Sequence, residues 1–232
     1  MVKTLFISPH PDDICYSAFA AAERSGRAGL LVTVFSRSFW NFRGLPEQSA
    51  RLVTRLRVAE ERGFAASLGL TLQMLGLADG RMRGHDDTTE YSTEANDDPE
   101  FLRVSSKLRK ILSDPWGTAP AVYVPLGISK HVDHLMCRDA VLAGTPLRRI
   151  VFYEDLPYAS TKTEEEIECF ARAIDSRLTA CLVRTRQFEA RKRRAIESYT
   201  TQLEPHTAAR ILGHGTRVGH ETGPCERYWR AL

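Results

Sequence analysis

Two short apolar runs in this chain each end abruptly in a cluster of histidine and aspartate, and this repeated layout constrains the fold most. The first run covers residues 5–7 and continues through Ser8 into Pro-His-Pro-Asp-Asp at residues 9–13. The second covers residues 121–126 and continues through a short loop into His-Val-Asp-His at residues 131–134. A helix-compatible stretch follows each cluster. Because an open α/β sheet places its chemistry at the carboxyl ends of its strands, the two clusters are predicted to meet at one edge of a parallel sheet.

The first cluster places one imidazole and two carboxylates, from His10, Asp12 and Asp13, within four residues. Pro9 and Pro11 restrict the backbone there, since each fixes its own φ and biases the preceding residue towards extended geometry. These side chains are all able to bind a metal. The alternative interpretation is that Asp12 or Asp13 caps the following helix and that His10 is a loop histidine.

The second cluster contains two histidines at a helical spacing. His131 and His134 are three positions apart, so on a first helical turn they lie on one face. One of them can then bind a metal while the other faces a substrate.

Apolar runs and helical patterns alternate along the chain and predict a single α/β domain over residues 1–232. We expect a Rossmann-like, three-layer fold with a mostly parallel sheet and helices on both faces. Strands are predicted at residues 3–8, 30–35, 70–75, 121–126, 149–153 and 178–184. Helices are predicted at residues 14–25, 47–68, 101–112, 135–143, 163–174 and 187–203. The Asp-rich residues 79–99 are predicted to form a long surface loop, and the glycine- and histidine-rich tail an irregular segment that folds over the cleft.

Composition excludes several classes of protein. Hydrophobic residues make up 43% of the chain and charged residues 26%, which is typical of a globular protein and not of a disordered one. The net charge of +3 is too small to predict nucleic-acid binding. The basic run at residues 191–194 is interpreted as a solvated helix face, with an anion-binding role as the alternative. No stretch has the length of apolar residues that a membrane span needs.

The five cysteines are scattered, and none forms a CxxC pair. Scattered cysteines in odd number indicate reduced thiols, and the opening residues lack a signal-peptide pattern. We therefore expect a cytoplasmic location. Dinucleotide binding is not expected, because Pro-His-Pro-Asp-Asp stands where a dinucleotide-binding fold has its glycine-rich turn.

The two clusters together resemble the motifs of the PIG-L (LmbE-like) family of zinc-dependent N-deacetylases, which are (A/P)-H-P-D-D and H-x-D-H. Both are present in full, in the expected order and spacing. Weaker similarity extends over residues 57–69, 77–80 and 153–158. The resemblance implies a Rossmann-like fold, in agreement with the pattern of elements.

The resemblance also implies the roles of the cluster residues. Its metal ligands are His10, Asp13 and His134, binding Zn2+, with Fe2+ as the alternative metal. Asp12 is then left as the general base that takes a proton from the attacking water.

Two further residues of the second motif are assigned to catalysis. His131 is expected to face the oxyanion, which it stabilises in its protonated form. Asp133 is expected to accept a hydrogen bond from a histidine, with a helix cap as the equal alternative. Some members of the family carry a tyrosine at the position of Ser129, so that here an oxyanion role falls to His131 or to another residue.

Substrate binding is assigned by resemblance to Arg57 and Asp79, which match positions that hold sugar hydroxyls in relatives. The alternative for both is that they are surface residues or ion-pairing residues. The aromatic loop at residues 39–42 and the Asp-rich loop at residues 84–98 are where we expect the rest of the substrate to be recognised.

The resulting hypothesis is a hydrolase that removes an N-acetyl or other N-acyl group from an amino sugar, such as an N-acetylglucosamine conjugate. Its partner is a small molecule and not a nucleic acid, and a homo-oligomer is compatible with the sequence. One alternative is a metal-dependent amidase acting on a non-sugar or thiol conjugate. The other is a sugar- or nucleotide-binding module without catalysis.

Overall fold

One mixed sheet contains every strand of the described part of the chain. The structure is a computed structural model that describes residues 4–46, 49–113 and 119–231. The strands are β1 Thr4–Ser8, β2 Gly29–Thr33, β3 Thr71–Met74, β4 Ala121–Pro125, β5 Ile150–Tyr153, β6 Leu178–Arg184 and β7 Cys225–Ala231. The helices are α1 Asp13–Ser17, α2 Phe19–Ser25, α3 Ala50–Leu68, α4 Phe101–Ser113, α5 Val132–Gly144, α6 Glu164–Ile174, α7 Glu189–Glu197 and α8 Thr207–Gly219. The predicted starts at residues 3 and 47 lie outside the described residues.

The strand order is β3-β2-β1-β4-β5-β7-β6. The five strands β1 to β5 pair in parallel, and β7 pairs antiparallel with both β5 and β6. The predicted fold is therefore confirmed as a mostly parallel α/β sheet with helices on both sides. In the described residues no helix has the length and apolar character needed to cross a membrane.

The two central strands β1 and β4 lie side by side where the strand order reverses. β1 pairs with β2 on one side and with β4 on the other, with Thr4 opposite Ala121 and Phe6 opposite Tyr123. Both strands are apolar and largely buried, as expected for strands covered on both faces. The crevice outside their carboxyl ends is the position at which open α/β sheets bind ligands.

The helix predicted over residues 14–25 is interrupted. Ala18 adopts φ −138° and ψ 31°, which divides the segment into α1 and α2. The backbone N–H of Ala20, in the first turn of α2, donates to the Glu226 carboxylate on β7 at 3.0 Å. The carboxylate of a C-terminal strand thus accepts from a free N–H group in the first turn of a helix near the N-terminus.

The expectation of an irregular tail is wrong, because the tail forms α8 and β7. Two of its glycines serve the close packing of these elements. A Cβ at Gly215 would lie 3.0 Å from the Cys225 carbonyl oxygen, and one at Gly219 would lie 3.2 Å from the Cys225 nitrogen. These glycines allow a helix to approach a strand and do not mark irregular structure.

The predicted helix over residues 187–203 ends at Glu197. Beyond it the Thr201 backbone N–H donates to the Glu60 carboxylate on α3 at 2.9 Å, so the chain turns towards α3. The basic run lies in α7 and is only partly solvated. Lys192 is buried, and its Nζ lies 2.7 Å from a Glu226 carboxylate oxygen. This ion pair offsets the cost of burying the ammonium group.

Candidate metal centre and active site

The two polar clusters meet above β1 and β4, as the sequence predicts. His10 lies in the loop after β1, and His131 and His134 lie at the start of α5. The three imidazole rings form a triangle with centroid separations of 4.9, 5.3 and 5.2 Å. Residues far apart in the chain therefore form one site.

His10 is oriented by Asp133. Its Nε2 donates to Oδ2 of Asp133 at 2.7 Å, and its Nδ1 faces Oδ2 of Asp13 at 3.6 Å. Asp133 also accepts from the Gly80 backbone N–H at 3.0 Å and lies 2.7 Å from the Arg83 guanidinium. Burial raises the pKa of Asp133, but the His10 hydrogen bond and the charges of His10 and Arg83 outweigh it and hold that pKa well below its usual range. Asp133 is thus an ionised acceptor that leaves Nδ1 of His10 facing the centre.

His134 is oriented in the same way by Asp155. Its Nδ1 donates to Oδ1 of Asp155 at 2.5 Å, and its Nε2 faces Oδ1 of Asp13 at 3.5 Å. The other Asp155 oxygen accepts from the backbone N–H groups of Gly127 and Ile128 at 2.8 and 2.9 Å. Burial lowers the pKa of His134, yet the carboxylates of Asp13 and Asp155 raise it to about 9.

His10, Asp13 and His134 offer three ligand atoms that lie within 4.8 Å of one another. Nδ1 of His10 lies 3.6 Å from Oδ2 of Asp13, and Nε2 of His134 lies 3.5 Å from Oδ1 of the same carboxylate, so both imidazoles face Asp13. Two imidazoles and a carboxylate, each imidazole backed by a second carboxylate, are donors that suit zinc. The donor set therefore fits the expected metal.

A second group with metal-ligand spacing consists of His10, His131 and Asp133. Its atoms are already engaged, since Asp133 accepts from His10 and Gly80 and both ring nitrogens of His131 have protein partners. Asp13 makes one backbone contact, from the His10 N–H at 2.7 Å, and keeps its other oxygen for the centre. The geometry favours the group that contains Asp13.

The helix-cap interpretations of the aspartates are wrong. Asp12 stands at the cap position of α1 without a side-chain capping bond, and the Asp13 carboxylate binds the His10 N–H. At α5 the cap is His131, whose Nδ1 accepts from the Asp133 backbone N–H at 3.1 Å. None of the three aspartate side chains is therefore used as a helix cap.

The protonated form expected for His131 is disfavoured. Its Nδ1 accepts the Asp133 N–H and therefore carries no proton, and its Nε2 lies 3.0 Å from Oε1 of Glu90. Burial lowers the pKa of His131 although the hydrogen bond with Glu90 opposes this shift. The ring is a neutral imidazole whose single proton lies on Nε2.

Asp12 has an unusual backbone conformation. It has φ 111°, a region that L-residues rarely adopt. Its side chain lines the cleft, and in the described residues no hydrogen bond to its carboxylate is formed. Burial and the neighbouring Asp13 carboxylate raise the pKa of Asp12 well above its usual range. A carboxylate with a raised pKa that lines the cleft next to three ligand atoms has the properties of a general base.

The cleft has a cavity volume of about 250 Å³ and includes both residues assigned to substrate. Arg57 and Asp79 are buried with their charged groups 4.0 Å apart, and Nη1 of Arg57 donates to Ser38 Oγ at 2.8 Å. Two buried donors of the cleft, the Tyr16 hydroxyl and Nε of Arg57, have no hydrogen-bond partner among the residues that the structure describes. Unpaired buried donors are costly, which indicates that a ligand completes them.

Both loops singled out from the sequence reach the cleft. Trp40 from the aromatic loop lines it, as do Glu90 and Tyr91 from the Asp-rich loop. The tail also contributes, through Thr207 and Arg210 at the start of α8. The cleft therefore has aromatic walls and an acidic residue beside the histidines.

Tyr16, Glu61, Glu90 and Asp155 are among the residues of this site that sequence reasoning missed. Asp155 lies within a segment similar to the family, although that similarity carried no role. Glu90 lies in the Asp-rich loop that was singled out as a whole. Tyr16 and Glu61 gave no signal, because their importance depends on contacts formed only in the folded chain.

Comparison with known proteins places this geometry in context. Residues 5–144 match the sequence model of the family described as PIG-L: GlcNAc-PI de-N-acetylase. A curated relative, 2'-N-acetylparomamine deacetylase of Streptomyces fradiae, is 35% identical over 224 residues, which cover 93% of this chain and 78% of that protein.

Solved structures share the fold at low sequence identity. A deacetylase–teicoplanin complex from teicoplanin biosynthesis has a TM-score of 0.74 at 20% identity, covering 98% of this chain and 97% of that one. A zinc-inhibited teicoplanin deacetylase has a TM-score of 0.70 at 20% identity, covering 97% and 96%. N,N'-diacetylchitobiose deacetylase from Pyrococcus horikoshii has a TM-score of 0.66 at 16% identity, covering 97% and 82%. These similarities extend over nearly the whole chain.

Proposed function

Since this chain belongs to the PIG-L family, we propose that it is a zinc-dependent N-deacetylase that hydrolyses the N-acetyl group of an amino sugar. The relative from Streptomyces fradiae is named for the same reaction on 2'-N-acetylparomamine. An N-acetylglucosamine conjugate or a related amino sugar is the substrate class. The observation that carries the proposal is the meeting of two carboxylate-backed histidines, a free carboxylate oxygen of Asp13 and an unpaired Asp12 in one cleft.

His10, Asp13 and His134 are the proposed metal ligands, through Nδ1, a carboxylate oxygen and Nε2. Zinc bound there supplies a Lewis acid that polarises the amide carbonyl and lowers the pKa of a water molecule. Asp133 and Asp155 hold the two imidazoles in the tautomers that direct a lone pair to the centre. Asp133 therefore acts through His10 and is a positioning residue.

Asp12 is the proposed general base. It accepts the proton that water loses on attacking the acyl carbon and then delivers it to the leaving amine. Its raised pKa favours this double role near neutral pH, because a carboxylate of ordinary pKa is a weaker base.

His131 is proposed to stabilise the developing oxyanion as a neutral donor. Its only proton is on Nε2, which faces Glu90 in this structure. Glu90 thereby fixes the tautomer. The substrate competes with Glu90 for that proton or shares it.

Arg57, Asp79 and Tyr16 are proposed to hold the hydroxyl groups of the sugar. Nε of Arg57 and the Tyr16 hydroxyl are donors without a partner in residues 4–46, 49–113 and 119–231, and Asp79 is an acceptor at the same wall. The ring of Trp40, with the Arg57 guanidinium 6.0 Å from its centroid, offers a face for the sugar ring.

A cytoplasmic location is part of the proposal. It is supported by the five cysteines, which are all free and three of which are buried. The partner is a small molecule. The partial burial of the basic run in α7 removes one argument for nucleic-acid binding.

The test combines elemental analysis of the purified chain with an acetate-release assay on a panel of N-acetylated amino sugars that includes 2'-N-acetylparomamine. About one zinc per chain together with acetate release is the expected result. Zinc without acetate release from any sugar contradicts the deacetylase and directs the search to other amides. A chain that binds no zinc overturns the hydrolase altogether and favours a binding module.

A further inference from the structure

A buried carboxyl group lies directly behind Asp12. Glu61 on α3 is 1% exposed. One of its oxygens accepts from Thr33 Oγ1 on β2 at 2.7 Å. The other accepts from the Tyr199 hydroxyl and, at 3.4 Å, from the backbone N–H of Asp12. Glu61 thus connects α3, the central sheet and the segment after α7 to the loop of the first motif.

The burial of Glu61 is not offset by any charged partner among the residues that the structure describes. In the described residues no lysine or arginine forms an ion pair with it, and burial raises its pKa to about 7 in spite of the hydrogen bonds from Tyr199 and Thr33. A carboxyl group in this setting costs folding stability when it ionises. Packing alone therefore does not account for it.

The backbone of Asp12 explains what the carboxyl group contributes. Residue 12 has φ 111°, a strained conformation for a residue with a Cβ, and such strain persists only where the surroundings hold it. The Asp12 N–H precedes α1 and has no acceptor within the helix. Glu61 supplies that acceptor. The conformation it holds directs the Asp12 side chain to the cleft while Asp13, the next residue, faces the two histidines.

We propose that Glu61 is a positioning residue that holds the Asp12 backbone, and through it the Asp12 carboxylate, in the orientation needed for proton transfer. This inference rests on the proposed role of Asp12 as the general base. Thr33 and Tyr199 hold Glu61 in place, so the support of Asp12 extends to the central sheet.

Two substitutions separate positioning from charge. Glu61→Ala removes the acceptor, and a displaced base is expected to lower kcat by about 10- to 100-fold, with KM and zinc content within twofold of wild type. Glu61→Gln keeps an acceptor, because its amide oxygen can receive the Tyr199 and Asp12 protons while its NH2 group donates to Thr33. Its kcat is expected within about threefold of wild type.

Glu226 offers a matched control. It is also a buried glutamate that accepts a tyrosine hydroxyl and a backbone N–H, here from Tyr228 and Ala20, and it does not line the cleft. Glu226→Ala is expected to lower the melting temperature at least as much as Glu61→Ala and to leave kcat, measured well below that temperature, unchanged.

Amide hydrogen exchange at Asp12, followed by NMR, tests the contact without relying on activity. We expect the Asp12 amide to be protected in wild type and in Glu61→Gln and to exchange faster in Glu61→Ala. An unchanged kcat or an unchanged amide in Glu61→Ala overturns the proposal, and so does an equal loss of kcat in Glu226→Ala. A wild-type chain without deacetylase activity contradicts the proposed function instead, and the exchange measurement still decides whether Glu61 holds Asp12.

Discussion

Nδ1 of His134 donates a 2.5 Å hydrogen bond to Oδ1 of Asp155, and this contact leaves Nε2 of the same ring as the lone pair that faces Asp13. The second Asp155 oxygen is fixed by two backbone N–H groups, so the carboxylate cannot turn away from the ring without losing them. The orientation of the proposed ligand is thus set by a residue outside the motif that contains it.

Asp155→Asn is expected to weaken zinc binding by about 10- to 100-fold, because the amide is a poorer acceptor and supports the wrong tautomer as readily as the right one. Competition with a zinc-binding dye measures the dissociation constant. Asp139→Asn, a partly exposed aspartate of α5 that pairs with Arg138, is the control and should bind zinc as wild type does. Equal affinity in Asp155→Asn and wild type would contradict the role of Asp155.

His134→Ala is expected to purify without stoichiometric zinc and without activity, since one of three proposed ligands is lost. Elemental analysis provides the measurement, and removal of metal from wild type with a chelator should reproduce the loss of activity. His220→Ala, which changes an exposed histidine, should retain both. Full zinc occupancy in His134→Ala would remove this residue from the ligand set.

Asp12→Asn is expected to keep its zinc and to lose turnover by about 100- to 10,000-fold, the range in which general acid–base catalysis contributes. Zinc content and kcat, determined on the same preparation, test this separation of roles. A parallel loss of zinc would instead make Asp12 a ligand.

Tyr16→Phe is expected to raise KM several-fold without loss of folding stability. Within the described part of the chain the hydroxyl has no hydrogen-bond partner, so its removal breaks no hydrogen bond there, while a hydrogen bond to the substrate contributes about 1 kcal/mol. Steady-state kinetics and thermal unfolding provide the two readouts. Tyr123→Phe, a tyrosine of β4 outside the cleft, should leave KM unchanged. Reduced stability with unchanged KM in Tyr16→Phe would mean that the hydroxyl serves the fold.

The pKa of Glu61 also predicts how stability depends on pH. Burial and the charge of Asp13 raise this pKa from 4.5 to about 7, against hydrogen bonds from Tyr199, Thr33 and Asp12. The folded state therefore holds the proton more tightly than the unfolded state. The contribution of Glu61 to the free energy of unfolding is greatest below pH 4.5, and it falls by about 3 kcal/mol as the pH rises through 7.

The glutamine side chain in Glu61→Gln cannot ionise, so this variant should lack the fall in the free energy of unfolding as the pH rises through 7. Denaturant unfolding of both proteins between pH 4.5 and 8.5, in the presence of a chelator, gives the difference directly. Parallel pH profiles for the two proteins would show that Glu61 ionises with an ordinary pKa.

The parallel part of the sheet and the meeting of the two motifs could be predicted because each depends on a short stretch of neighbouring residues. Residues 5–7 and 121–126 are apolar runs with polar clusters at one end, and burial on both faces makes such runs easy to recognise. β7 gave no such signal. It contains Glu226 and Arg227 in its buried part, and these charges are tolerated only because Lys192 and Glu154 pair with them in the folded chain.

The supporting residues of the site were missed for the same physical reason. Asp155 is 21 positions from His134 in the chain, and Glu61 is 49 positions from Asp12, whose backbone N–H donates to it. Aspartate and glutamate are common on surfaces and helices, so neither position stands out before the chain folds. The three proposed ligands stand out because all of them fall within two compact motifs.

The central position of β1 beside β4 has a consequence for folding. The two motifs belong to strands that are neighbours in space, yet His10 and Asp133 are 123 positions apart in the chain. An ion held by both motifs closes that long loop in the manner of a removable cross-link, and it binds only where the two strands are already paired. Bound zinc would therefore stabilise the folded chain against unfolding. This stabilisation increases with the ratio of the free zinc concentration to the dissociation constant.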